Sequence, residues 1–151
     1  MEKILEALKA PFEASQIHWR VGATSKDKKK GIALAYIDAR DVMKRLDDVV
    51  GFQNWSDSYD ETRQGRILCT LELRLETSEK NKWQDWVSKT DGAGETQVEG
   101  EKGAISDAFK RAAVKWGIGR YLYYLPNQWC ELDNYKKIVK PPTLPKWALP
   151  S

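Results

Sequence analysis

One histidine and two cysteines are all that this chain of 151 residues offers a transition metal. A histidine cage is therefore excluded, and a Ser/His/Asp triad would have to be built around His18, a lone residue at the head of an extended stretch that reads as a packing or surface group. Cys69 and Cys130 stand far apart, outside any CxxC or Cys/His ligand spacing, so reduced thiols in an intracellular setting are expected and no zinc. Apolar runs are short: none approaches the roughly 20 residues that a membrane span needs. The N-terminal MEKILEALKAPF mixes acids with apolar residues, unlike a secretory signal. Proline is nearly missing from the first 125 residues, where only Pro11 occurs, so regular elements can run there uninterrupted. Net charge is small at +3, which excludes a uniformly basic surface.

What is present is a folding composition, 41% hydrophobic and 31% charged, of a size that suits one domain with one core. Ile4, Leu5, Leu8 and Phe12 form a helical stripe closed by Pro11. Residues 16–23 and 31–38 read as two strands, the second alternating Ile32, Leu34 and Tyr36 against Ala33, Ala35 and Ile37, joined by the polar SKDKKKG. Asp38 and Asp41 open a second helix along Val42, Leu46, Val49 and Val50, which Gly51 stops. Period two then takes over as a three-stranded meander across residues 55–90. It is clearest in RILCTLELRLE, where Ile67, Cys69, Leu71, Leu73 and Leu75 share one face and Glu72, Arg74 and Glu76 line the other as a cross-strand salt ladder. The last strand is expected from Trp83 to Lys89. A Gly-rich loop, DGAGETQVEG, precedes a long helix near residues 102–116. There Ile105, Ala108, Phe109, Ala112 and Trp116 face a core, and Asp107, Lys110, Arg111 and Lys115 face away. The aromatic segment RYLYYLPNQW follows, then a Pro-rich ending. The chain reads as one domain over residues 1–135 with a tail over 136–151.

Three chemistries compete for these residues. Closely spaced glycines could cradle a phosphate, but Gly94 and Gly100 are separated by five residues where a P-loop has four, Gly103 stands where Ser or Thr would bind magnesium, and Gln97 breaks the dinucleotide pattern. Carboxylates could build a two-metal nuclease, but Glu72 and Glu76 alternate with Arg74 rather than gathering at strand ends. Basic groups remain. Arg20, Lys26, Lys28, Lys29 and Lys30 cluster on the hairpin against one acid, Asp27, and Lys110 and Arg111 ride a rigid helix. Such cations pair with phosphates, nearby aromatics stack on unpaired bases, and an arginine inside an apolar strand is costly unless it meets an anion or a surface groove. About three phosphate contacts would give a single-strand salt slope near −2, which is weak binding, so a useful binder of this kind requires an oligomer. Seven tryptophans and six tyrosines either fill the core or supply the subunit contact.

In this order the segments resemble the DNA-annealing domain of the Rad fifty-two family. The resemblance rests on GIALAYIDARDVMKRLDDVVGFQNWS (residues 31–56), where Gly51-Phe52-Gln53-Asn54-Trp55-Ser56 loosely matches a family Phe-Gly-x-x-x-Trp-Ser. It rests also on GEKGAISDAFKRAAVKWGIG (residues 100–119), where Ser106-Asp107-Ala108-Phe109-Lys110-Arg111-Ala112 matches Thr/Ser-Asp-x-x-Lys-Arg-Ala. It implies an α+β fold, a β-hairpin and three-stranded antiparallel meander packed on a long helix, with a β-β-β-α core assembling into a closed ring. It also implies single-stranded DNA held in an outer basic groove for annealing in recombination and double-strand break repair, with no catalytic residue, metal, ATP or other cofactor. Carried over, the inner groove holds Arg20, Leu34, Tyr36, Lys110 and Arg111. The family's further groove arginine falls at Val114, so that either the groove is weaker here or Lys115 substitutes. Lys102 falls in an outer DNA site, to which the hairpin lysines Lys28, Lys29 and Lys30 are added. The short length and Pro-rich ending fit either a minimal phage-type annealing protein, cytoplasmic in a bacterial host, or a piece of a longer chain, with a recombinase or a single-strand binding protein as a further partner. A metal-dependent nuclease and an oligomeric protein-interaction scaffold are the alternatives.

Overall fold

The computed structural model describes residues 2–77, 79–92 and 100–151, with only the helical backbone given for residues 100–102. The chain divides into two compact units whose segments interleave. Unit 1 combines Met1–Ala10 with Ala39–Arg120, and unit 2 combines Pro11–Asp38 with Tyr121–Ser151. The architecture is α+β, with two three-stranded antiparallel sheets.

Unit 1 holds α1 (Glu2–Lys9), α2 (Ala39–Val49), strands β3 (Trp55–Glu61), β4 (Ile67–Leu73) and β5 (Val87–Gly92), and α3 (Gly100–Lys115). The sheet order is β3-β4-β5, with Asp57 opposite Leu71 and Leu71 opposite Lys89. Alternation along β4 does what the pattern demands: Cys69, Leu71 and Leu73 are buried, as is Leu75 just beyond. Helix α3 packs on β4 and β5 through Ala108, Phe109, Ala112, Ala113 and Trp116, and the Trp116 indole N–H donates to the Leu71 carbonyl at 3.1 Å. Burial pushes the Cys69 thiol up to about 11, which keeps it protonated and inert.

Two expectations need correction in this unit. Ile105 has the right helical angle for the buried face yet is 37% exposed, one turn ahead of the buried Ala108 and Phe109. The last strand begins at Val87, not Trp83. Residues three apart on a strand point to opposite faces, whereas the Arg74 guanidinium lies over both the Trp83 and Trp86 rings, at 4.9 and 5.4 Å from their centroids. Trp83 makes only an isolated bridge to Glu76. The same arginine donates to Asn54 Oδ1, and Glu76 accepts the Asn81 N–H, so the contacts of this face are not those of a salt ladder.

The ends of α1 and α3 are tied down by hydrogen bonds, from a side chain in the first and from the backbone in the second. One Arg45 nitrogen donates to the carbonyls of Ala7, Leu8 and Ala10 at the end of α1. Beyond α3, the Ile118 N–H bonds the Ala113 carbonyl and the Gly117 N–H bonds that of Val114, with Gly117 at φ +93°. A Cβ on Gly117 would also run into the Lys9 side chain. Gly117→Ala is therefore expected to cost about 1–2 kcal/mol of stability, read as a lower midpoint in urea at unchanged m-value.

Unit 2 is built on β1 (His18–Thr24), β2 (Lys30–Tyr36) and β6 (Trp129–Glu131), in the order β1-β2-β6. The hairpin was legible and the third strand was not. Of β2 the small residues are buried, Gly31 and Ala33, with Leu132 against Gly31, so the larger side chains Ile32, Leu34 and Tyr36 take the more open face. The segment read as a tail is partly packed. Ile138 bridges Leu132, the Val139 N–H bonds the Glu131 carbonyl, and a short turn at Lys146–Ala148 buries Ala148 completely. Proline forbids a ladder here but permits single anchoring contacts.

Candidate nucleic-acid interface

On β1, Arg20 pairs in register with Leu34, and His18 with Tyr36. Cross-strand partners share a face, and alternation adds Ile32 to it. The register of β6 sets Trp129 opposite Ile32, so the same face carries an indole that is 55% exposed. Arg20, Leu34 and Tyr36 are thus gathered on one open face of unit 2. Arg20 is exposed, so water solvates its charge and its place in an apolar strand needs no buried anion. His18 shares a 3.0 Å hydrogen bond with Asp38, and its ring lies 5.3 Å from that of Tyr36. Trp129 was missed because a three-residue strand has no period to read.

The hairpin tip is an ordered turn. Asp27 accepts the Ser25 hydroxyl at 2.7 Å and the Lys29 N–H at 3.0 Å, and Ser25 Oγ accepts the Lys30 N–H. The Ser25 hydroxyl foremost, then the Lys29 N–H, holds the Asp27 carboxyl below the usual carboxylate range. Lys28 sits at φ +60°, and Lys28, Lys29 and Lys30 are all exposed around this turn.

In unit 1 the α3 cations do not share one surface. At ~100° per residue, Lys110 and Val114 lie together on one flank of the buried stripe, while Lys115 lies only about 20° from Ala108 on the opposite flank. The contacts follow these angles. The Lys115 ammonium donates to the Thr90 carbonyl on β5, and the Arg111 Nε lies 3.6 Å from Asp91, the next residue along that strand. Lys115 therefore faces β5 and does not stand where an arginine at Val114 would. Lys110 is half-buried. Lys102 falls in the first turn of α3, and its side chain lies outside the described residues, as does the Gly-rich loop. Among the described residues no three His, Cys, Asp or Glu gather as a metal site, and no helix is long and apolar enough to cross a membrane.

A β-β-β-α unit with a cationic helix, together with a three-stranded sheet whose open face mixes an arginine with aromatic and apolar groups, has the build of an α+β nucleic-acid-binding domain. Residues 1–140 match the model of the Rad52/22 family double-strand break repair protein, and the chain belongs to that family. It is 40% identical over 153 residues to the single-stranded DNA-binding protein DdrA of Deinococcus deserti, an alignment covering 99% of this chain and 72% of that protein. To the DdrA protein of Deinococcus radiodurans it is 37% identical, over 99% of this chain and 69% of that one.

Proposed function

We propose that this protein binds single-stranded DNA and anneals complementary strands in double-strand break repair, as an oligomeric ring with the DNA on its outer side. The observation that carries this reading is the family match, with relatives aligned along nearly the whole chain that are themselves single-stranded DNA-binding proteins. Each unit supplies a surface of suitable chemistry. In unit 2, Arg20 offers a phosphate partner beside the Leu34, Tyr36 and Trp129 side chains, against which unpaired bases can rest. In unit 1, Lys110 and Arg111 offer two phosphate partners on a rigid helix. In unit 2 the exposed lysines of the hairpin turn offer further phosphate partners, and in unit 1 Lys102 is the residue that the family resemblance gives to a second, outer site.

Annealing by this route breaks no covalent bond. Phosphates neutralised on the protein repel the incoming strand less, and bases held apart are free to pair. Oligomerisation is supported by the aromatics: of seven tryptophans only Trp116 is buried, while Tyr123, Tyr124, Tyr135 and Trp147 of unit 2 are exposed. Annealing of labelled complementary oligonucleotides without magnesium or ATP, with electron microscopy of the same sample, tests the proposal. Magnesium-dependent degradation of the strands, or no annealing at low salt, would overturn it.

Asp91 gives a more specific test. Its carboxylate holds Arg111 at 3.6 Å and competes with phosphate for that guanidinium. Asp91→Asn keeps an acceptor for the Gly92 N–H but removes the competing charge. Single-strand affinity should rise about 3- to 5-fold, the scale of a half-exposed ion pair. Equal or weaker binding by the variant would show that Arg111 does not meet the DNA.

A further inference from the structure

The end of α3 opens into a cleft of about 400 Å³ lying wholly within unit 1, between the end of α1, strand β5 and the turn after α3. Lys9, Lys89, Lys115 and Arg120 line it, and among the described residues no carboxylate does. Gathering four cations around one space is unfavourable unless something negative shares it. The protein supplies only part of that. The α3 C-terminus carries about half a negative charge, and Arg120 answers it by donating to the Val114 and Lys115 carbonyls at 3.0 and 2.9 Å, while Lys115 donates to that of Thr90. These bonds use two of the guanidinium's five N–H groups and one of the three on Lys115. Lys89 rests 5.1 Å from the Trp116 ring centroid, and the Lys9 stem lies over Gly117, where only a missing Cβ leaves room. Leu75, Val87 and Trp116 give the cleft an apolar wall.

We propose that this cleft binds a nucleotide, with its phosphate among Lys9, Lys89, Lys115 and Arg120 and its sugar and base against the Leu75–Val87 wall. Its size is that of small-molecule sites, larger than a phosphate alone requires. The nucleotide is a unit of bound strand or a free mononucleotide. The first source is the expected one, because Arg111 and Lys115, one helical turn apart along β5, lead from the α3 surface to the cleft. That arm rests on the DNA-binding reading above, and the free-nucleotide arm does not.

The test compares the full chain with K9A/K89A and the charge-preserving K9R/K89R. Neither lysine caps a helix or belongs to the surfaces assigned above. For oligo-dT, the slope of log affinity against log salt should become shallower by about 1.4 in K9A/K89A, two contacts at about 0.7 each, and return in K9R/K89R. Binding of dTMP by the wild-type protein, followed by calorimetry and lost in K9A/K89A while the oligo-dT slope stays unchanged, would place a free nucleotide in the cleft. An unchanged slope together with no dTMP binding would overturn the proposal and leave the four cations as partners of the helix end and of Trp116. K110A/R111A tests the DNA-binding reading separately, so failure of one is distinguishable from failure of the other.

Discussion

Replacing Lys110 and Arg111 together by alanine is expected to lower affinity for single-stranded DNA by about two orders of magnitude while leaving the fold intact. Each side chain would give up a charge-assisted phosphate contact worth about 1.5–3 kcal/mol, and two of them amount to at least a hundredfold. The salt dependence should become shallower by about 1.4, which a general loss of folded protein would not produce. Stability should hold, because neither residue belongs to the buried stripe of Ala108, Phe109, Ala112, Ala113 and Trp116, and alanine is the better helix former. The Arg111–Asp91 pair that is lost has side chains 44% and 28% exposed, so it contributes less than about 1 kcal/mol. Lys44→Ala is the matched control. It removes one positive charge from a helix of the same unit, where the ammonium is already held by Asp48 at 2.6 Å, and should leave binding unchanged. Filter binding or anisotropy across a salt series separates these outcomes. Equal affinity of the double variant and the wild type would sink the α3 assignment.

The parts of this molecule that could be read from sequence are those whose geometry is local. Strand β4 announces its buried face by alternation, α2 ends where Gly51 can adopt φ +93°, and the hairpin follows from two extended runs around a polar turn. Where burial depends on what lies across from a residue, local pattern fails. Ile105 has the angle of a core residue yet is exposed, and Gly31 is buried with Leu132, a hundred positions later, against it. Strand β6 is too short to show a period, so neither the third strand of its sheet nor Trp129 could be seen. Contacts between distant segments also divide the chain into two compact units, which no local pattern marks. The candidate site divides along this line. Arg20, Leu34 and Tyr36 share a face because the register of one hairpin relates them, whereas Lys115, read on the same outward face as Lys110 and Arg111, turns to β5 and donates to the Thr90 carbonyl. The paired cations Lys9 and Lys89 carried no signal at all, since only the fold brings them to one cleft.

Asn54→Ala is expected to be the most destabilising single substitution of a polar residue, at about 3 kcal/mol, or roughly 10 °C in melting temperature for a chain of this size. Asn54 is the only buried polar residue in the core of the described chain, 2% exposed, and its side chain works in two directions. Its amide donates to the Val50 carbonyl at the end of α2 at 2.8 Å, and its Oδ1 accepts from the Arg74 Nε and Nη2 at 3.3 and 2.9 Å. Its backbone joins the same parts, with its N–H on the Gly51 carbonyl and its own carbonyl accepting the Arg74 N–H. Trp55, the next residue, donates from its indole to Asp47 of α2 at 2.8 Å. The segment Gly51 to Ser56, which carried part of the family resemblance, is thus a clasp between the end of α2 and the β3–β4 pair. Alanine would leave the Val50 carbonyl without its donor and the Arg74 guanidinium without its acceptor, beneath two tryptophan rings that exclude part of the water. Because the two losses share one partner, Asn54→Ala with Arg74→Ala should cost about 1–2 kcal/mol less than the sum of the single substitutions. Urea melts of the four proteins decide this, and additivity within about 0.3 kcal/mol would mean that the two side chains do not act together. Below its lowered midpoint the Asn54→Ala protein should still bind single strands with wild-type affinity and salt slope, since the clasp shapes unit 1 without presenting a charge to the DNA.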